Sequence, residues 1–282
     1  MGRSQPIIHF NDRKKGKIIM KINIIATGSK CNCVLATFAD YERIIFDFGN
    51  SAGRFDTGAM FLCNQRDFRG FPTLDFDYYV DINGKRIKKR IDDVLITHAH
   101  RDHSGDWDKI KGFDFPKTLS VKEFPVIHDV ENRGFVVMND KTREGVIYAT
   151  DYSEIPQNSF DFLLKLVGFK EWKWFACLEL SYCDFLYKKL PDNQRFGLDR
   201  HCSDVRFFDY AKKILEVNDN VNIVTLHASG RQSEYLEGVS KFGSVCPPDH
   251  LRKKIYRIFK GKPVRFGEAS GMWGTYNYIE RV

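Results

Sequence analysis

The sequence predicts an α+β fold, on three observations. Apolar runs at strand spacing dominate the first half of the chain. Strand-like and helix-like runs alternate in the second half. No repeat, low-complexity tract or linker divides the 282 residues, which are enough for one large domain whose core needs no disulfides.

Residues 1–19 are polar and irregular and read as an extension. Regular structure starts at Met20, where Lys21 to Ile25 alternates with period two. After a turn at Gly28 to Asn32, the runs Cys33 to Thr37 and Arg43 to Phe48 flank Asp40-Tyr41-Glu42 and read as a hairpin. Residues 50–90 read as an insertion, a lid or an interface, with a hairpin turn at Asn83-Gly84. The run Lys85 to Arg90 reads as a solvated, aggregation-resistant edge or as a lure for phosphate. Strands follow at Asp93–Thr97, Lys117–Val126, Gly134–Met138 and Gly145–Ala149, then a helix at Phe160–Leu166. A strand at Trp174–Leu180, a helix at Phe207–Glu216 and a strand at Val221–Leu226 complete the pattern. The Gly-rich residues 267–274 read as part of a turn-rich terminus, with 269–282 set apart as a tail.

Composition excludes several classes. Hydrophobic residues at 43% and charged residues at 29% are globular values, so the chain is not mainly disordered. No apolar run approaches the roughly 18 residues a membrane span needs, and the N-terminus lacks the apolar core of a signal peptide. Pro6 stands where an N-myristoylation signal needs Ser or Thr. The odd count of seven cysteines reads as reduced, mostly buried thiols in a cytoplasmic protein. Lys+Arg 44 against Asp+Glu 37 leaves +7, compatible with a phosphate-bearing substrate.

The chemistry concentrates in Thr97-His98-Ala99-His100-Arg101-Asp102-His103. Three of the chain's eight imidazoles and one carboxylate lie within six residues. These are borderline ligands, suited to Zn²⁺ and also to Mn²⁺ or Fe. On an extended chain His98 and His100 share a side and hold one ion, while Asp102 and His103 reach a second. Two ions need more donors, and His128, Asp151 and His227 each stand at the end of an apolar run. Asp151 can bridge both ions through its two oxygens.

With these residues the sequence resembles the metallo-β-lactamase-fold hydrolases, over roughly residues 20–268. Within them it is most similar to a short branch of phages and Gram-positive bacteria. The shared features are Gly28-Ser29-Lys30-Cys31-Asn32-Cys33, Phe46-Asp47-Phe48-Gly49, His98 to His103, His128-Asp129, Gly134-Phe135, Thr150-Asp151 and Leu178-Glu179-Leu180. Two His-x-Ser elements, His201-Cys202-Ser203 and His227-Ala228-Ser229, complete them. The resemblance implies a four-layer αββα sandwich with two divalent ions, Zn²⁺ or Mn²⁺, at the edge of its two sheets. It assigns His98, His100 and His128 to one ion, Asp102, His103 and His227 to the other, and Asp151 to both. Asp47 would steady the histidines, His201 would sit by the substrate as general acid or phosphate contact, and Ser203 and Ser229 would line the substrate site. The sequence departs from the branch at Cys31, in the length of residues 50–90, and in lacking a Pro after His128 and an Asn after Ser229.

Two adjacent divalent ions acidify a shared water and polarise an electrophile. Asp102 and His201 are then the catalytic pair. Asp at 151, where true lactamases tend to carry Cys, argues against antibiotic hydrolysis, and the basic excess favours a phosphodiester. The branch includes anti-Pycsar phosphodiesterases, so the resemblance implies a small cyclic mononucleotide signal as substrate. It also implies an anti-defence role in the host cytoplasm. A homodimer is expected because partner subunits often complete such small-ligand pockets, with the aromatic-rich residues 54–80 as a candidate contact surface. Nucleic acid is the alternative substrate, and a nucleotide-sequestering protein without catalysis is a further alternative.

Overall fold

The computed structural model of the protein describes residues 20–27, 32–40, 42–49, 78–80, 86–88, 93–105, 119–190, 192–195, 197–227, 247–267 and 277–279. The expectations for residues 1–19, for the Gly28–Cys31 turn, for most of 50–90 and for Ser229 lie outside the described residues.

Two sheets carry the fold. The first has the order β13-β1-β2-β3-β6, built from β1 (Lys21–Ala26), β2 (Cys33–Thr37), β3 (Arg43–Phe46), β6 (Asp93–Leu95) and β13 (Asn277–Ile279). The second runs β12-β11-β10-β9-β8-β7, from β7 (Ser120–Val126), β8 (Asn132–Asn139), β9 (Glu144–Ala149), β10 (Lys173–Glu179), β11 (Asn222–Leu226) and β12 (Val264–Arg265). The hairpin expected around Asp40 is present, with Val34 opposite Phe46 and Thr37 opposite Arg43. Strand β3 stops at Phe46 rather than Phe48, because Asp47 turns into the left-handed region at φ 55°. A small ladder of β4 (Tyr78–Val80) and β5 (Arg86–Lys88) stands apart. Its strands pair antiparallel on either side of the expected Asn83-Gly84 hairpin turn, and that turn lies outside the described residues.

Alternation in the second sheet explains how one set of strands serves two cores. Val146, Tyr148, Phe175, Cys177, Val224 and Leu226 face the first sheet and pack on Ile22, Ile24, Val34, Ala36, Ile44 and Phe46. Their neighbours Ile147, Ala149, Trp174, Ala176, Leu178 and Ile223 face helices. These are α2 (Gln157–Val167), α5 (Asp204–Val217) and α6 (Pro247–Ile258), numbered after the short helix α1 (Arg101–Ser104), α3 (Asp184–Tyr187) and α4 (Asp192–Arg195). Strands covered on both faces read as near-continuous apolar runs, as β9 to β11 do, and β9, β10 and β11 are parallel. The described residues thus supply one helical layer and two sheets.

The tail contributes more than a turn-rich end, since β13 within residues 269–282 pairs antiparallel with β1. Cys33, Cys177, Cys183 and Cys202 are free and buried, as small apolar residues would be. No described helix is long and apolar enough to cross a membrane.

Candidate metal centre

The expected site residues converge where strands of both sheets end. Asp47 follows β3, the loop 97–103 follows β6, Asp151 follows β9 and His227 follows β11. Among the described residues four non-glycines have positive φ, and three of them are Asp47, Asp151 and His227. That backbone state costs of order 1–3 kcal/mol where the surroundings impose it, and such cost concentrates at functional sites. Here the surroundings are polar: the Asn32 and Asn132 amides and the Thr27 hydroxyl reach into the loops. Asn132 Nδ2 donates to the carbonyls of Thr150 and Asp151, and Thr27 Oγ1 accepts from His227 N at 2.6 Å.

The His loop is clamped by backbone. Phe48 N donates to the His103 carbonyl at 2.7 Å, and Asn32 N to the Asp102 carbonyl at 2.7 Å. Gly49 permits this approach, because a Cβ there would lie 1.7 Å from the Asp102 carbonyl oxygen. Asp47, fully buried, accepts from Thr97 N at 2.9 Å, Thr97 Oγ1 at 2.9 Å and Tyr148 Oη at 2.9 Å, and pairs with His103 Nδ1 at 2.8 Å. The expected steadying role of Asp47 therefore has a concrete geometry.

Five imidazoles have Nδ1 beside an acceptor: His98 at Thr97 Oγ1 (3.0 Å), His103 at Asp47, His128 at the Arg200 carbonyl (3.4 Å), and His201 and His227 at Glu179 Oε1 (2.8 and 3.3 Å). A proton on each Nδ1 leaves the Nε2 lone pair facing the site. His98 Nε2 and His100 Nδ1 are 3.0 Å apart, close to the ~3.3 Å edge of a tetrahedron with ~2.0 Å metal–nitrogen bonds.

Two donor sets share Asp151 and no other residue. His98, His100, His128 and Asp151 form the first, and Asp102, His103, Asp151 and His227 the second; a third combination, Asp151, Glu179, His201 and His227, overlaps the second. Within each, one donor atom per residue lies within 4.8 Å of all the others. Asp151 Oδ2 stands 3.6 Å from His98 Nε2 and 3.1 Å from His103 Nε2, and its Oδ1 stands 2.9 Å from His227 Nε2. Yet Asp151 Oδ1, His128 Nε2 and both nitrogens of His227 are buried without a well-aligned hydrogen bond, although carboxylate or imidazole atoms stand 2.9–3.3 Å from each. Buried donors close together but unsatisfied are costly unless a cation lies among them, so the residues fit a metal pair. The Asn32 amide, with Nδ2 2.8 Å from His103 Nε2, must turn aside for that nitrogen to bind one.

The electrostatics separate the two sets. Burial lowers His98 to about 2, helped by the neighbouring His103, and burial also lowers His128. Burial opposes protonation of His227 and His103 too, but carboxylates prevail. Asp151 and Glu179 raise His227 to about 10, and Asp151 and Asp47 raise His103. Asp151 is lowered well below the usual carboxylate range, against its burial, by His227 and His103.

Glu179 is the site residue that sequence reasoning quoted but gave no role. It is wholly buried at the end of β10, with Oε1 2.8 Å from His201 Nδ1 and 3.3 Å from His227 Nδ1, and Oε2 accepting from Tyr152 N at 2.6 Å. His201 lies in the site, its ring 5.0 Å from that of His227 and 5.7 Å from that of His128. Ser203 Oγ instead accepts from Arg206 N at 3.4 Å and caps α5.

No protein-family model and no curated protein matches the sequence. Among solved structures the chain is similar to YhfI of Bacillus subtilis, described as a metallo-β-lactamase fold protein. The TM-score is 0.53 at 14% identity, covering 93% of this chain and 99% of that one. A structure of the short form of human tRNase Z (ELAC1) aligns with a TM-score of 0.46 at 14% identity, over 75% of this chain and 94% of that one. The fold is the metallo-β-lactamase fold.

Proposed function

We propose that the protein is a metal-dependent hydrolase of phosphodiesters, with a small cyclic nucleotide as its substrate. The observation that carries the reading is the pair of donor sets joined by the one buried carboxylate of Asp151. The donor chemistry supports it, because Asp47, Asp102, Asp151 and Glu179 gather four carboxylates here besides Asp129, which Arg200 pairs, a number suited to two divalent cations. His98, His100 and His128 would hold one ion, Asp102, His103 and His227 the other, and Asp151 both. Bound there, the ions would supply an acidified water and a polarised phosphoryl group.

The chain's own residues do the rest. Asp102, partly exposed at the start of α1, orients the attacking water. Glu179 Oε1 accepts a hydrogen bond from His201 Nδ1, which keeps its proton, so that Nε2 is the atom that would give a proton to the departing oxygen. The same carboxylate stabilises the imidazolium before transfer. The full set of seven candidate ligands argues against a protein that only sequesters its ligand. The small cyclic substrate rests on the sequence resemblance.

Incubation with Mn²⁺ or Zn²⁺ and a panel of 3′,5′-cyclic mononucleotides, beside a 5′-labelled oligonucleotide, tests the reading. Linear nucleotide should appear, and EDTA should stop it. Consumption of the oligonucleotide alone would reject the small substrate, and no metal-dependent product from any phosphodiester would reject the hydrolase.

A further inference from the structure

Asp129 lies against the first donor set without belonging to it. It follows His128 in the loop between β7 and β8, and its side chain is 30% exposed. Oδ1 stands 2.9 Å from His128 Nε2 and 3.9 Å from His100 Nε2. Oδ2 accepts from the Arg200 guanidinium through Nη1. One carboxylate thus spans the distance between the donor atoms of the first set and a guanidinium. Arg200 is fixed at both ends, since its carbonyl also faces His128 Nδ1 at 3.4 Å. Any change of its side chain leaves that backbone contact in place.

A carboxylate shared between a cation site and a guanidinium occupies the position that a non-bridging phosphate oxygen would take. Both are anionic oxygens, and a guanidinium fork recognises both. Neutral electrophiles, lactam or thioester, carry no such oxygen and have nothing to offer Arg200 in exchange for Asp129. Resting on the phosphodiesterase reading, we propose that Arg200 is the anion-recognising residue of this site, and that Asp129 is a built-in carboxylate that a substrate phosphate displaces.

The test uses the full chain loaded with Mn²⁺, with inorganic phosphate as the calorimetric probe. Turnover of bis(p-nitrophenyl) phosphate is compared with that of neutral p-nitrophenyl acetate. Arg200→Gln should weaken phosphate binding by about 10- to 100-fold at full metal content, and lower the preference for the diester by a similar factor. Arg200→Lys should recover part of the loss, as a point charge without the fork. Asp129→Asn should tighten phosphate binding several-fold, because a neutral amide competes less well for the site.

Phosphate binding by Arg200→Gln at wild-type strength would overturn the inference, as would failure of the wild type to bind phosphate. Loss of a metal ion in Asp129→Asn would make Asp129 a ligand and overturn it as well. Binding of phosphate through Arg200 without turnover of any phosphodiester would remove the hydrolase reading and leave the anion site standing.

Discussion

The two donor sets share Asp151 and differ in what stands behind their imidazoles. In the first, His98 leans on the Thr97 hydroxyl and His128 on the Arg200 carbonyl, both neutral. In the second, His103 leans on Asp47 and His227 lies beside Glu179, both buried carboxylates. Exposure differs at one imidazole: the His100 side chain is 37% exposed, whereas those of His98 and His128 are 0% and 2%, as are those of His103 and His227. Carboxylate backing raises ligand basicity and fixes ring orientation. The carboxylates that draw a proton onto His103 and His227 would equally draw a cation. The comparison teaches that one ion would be structural in its tightness and the other exchangeable and open to substrate.

The largest effect tests what the sets share. Asp151→Asn keeps the side-chain shape and tolerates the left-handed backbone at φ 52°. It removes the charge common to both ions. Elemental analysis should find neither site filled, and hydrolysis should fall by about 10³-fold or more. Full metal content in this variant would dissolve the shared-ligand account.

The next effect should divide the sets. Asp47→Asn weakens the support of His103 and leaves His98 on Thr97. Affinity for one ion should fall about 10- to 100-fold while the other stays bound. A metal titration followed by calorimetry reads this directly, and equal weakening of both ions would erase the distinction. Chelation of the wild type should show the same order without mutation. A limiting amount of EDTA should first remove one ion per chain with little change in Tm. Excess EDTA should then lower stability by about 3 kcal/mol for an ion held at 100 times its Kd. Simultaneous loss of both ions would contradict the ranking.

Much of this architecture was legible because it follows period and position. The β2–β3 hairpin and β7 to β11 show as apolar runs, and the candidate ligands His128, Asp151 and His227 stand where those runs stop. Glu179 was the residue to question. It is a charged residue closing an otherwise apolar strand, and a charge cannot be buried there without a partner. The helix α6 also escaped, although Leu251, Ile255 and Phe259 repeat every fourth residue, because Lys and Arg fill the positions between. Strand β13 has three residues, too few for a period to register. The left-handed turns at Asp47, Asp151 and His227 leave no mark in composition, since each is set by distant partners such as Thr27 and Asn132.

The smallest effect is the sharpest control on the role of charge. Tyr148 Oη donates to Asp47 Oδ2 at 2.9 Å, and its ring stacks on Phe46 with centroids 4.5 Å apart. Tyr148→Phe keeps the stack and removes one of several hydrogen bonds to a carboxylate that keeps its charge. Stability should fall by about 1–2 kcal/mol, a Tm shift of a few degrees for a domain of this size. The tighter ion should stay bound, since His103 still faces Asp47. If the hydroxyl mattered as much as the carboxylate, Tyr148→Phe would lose that ion as Asp47→Asn does. The rigidity of the hydrogen-bond network, rather than the charge behind the ring, would then set the difference between the two halves of the site.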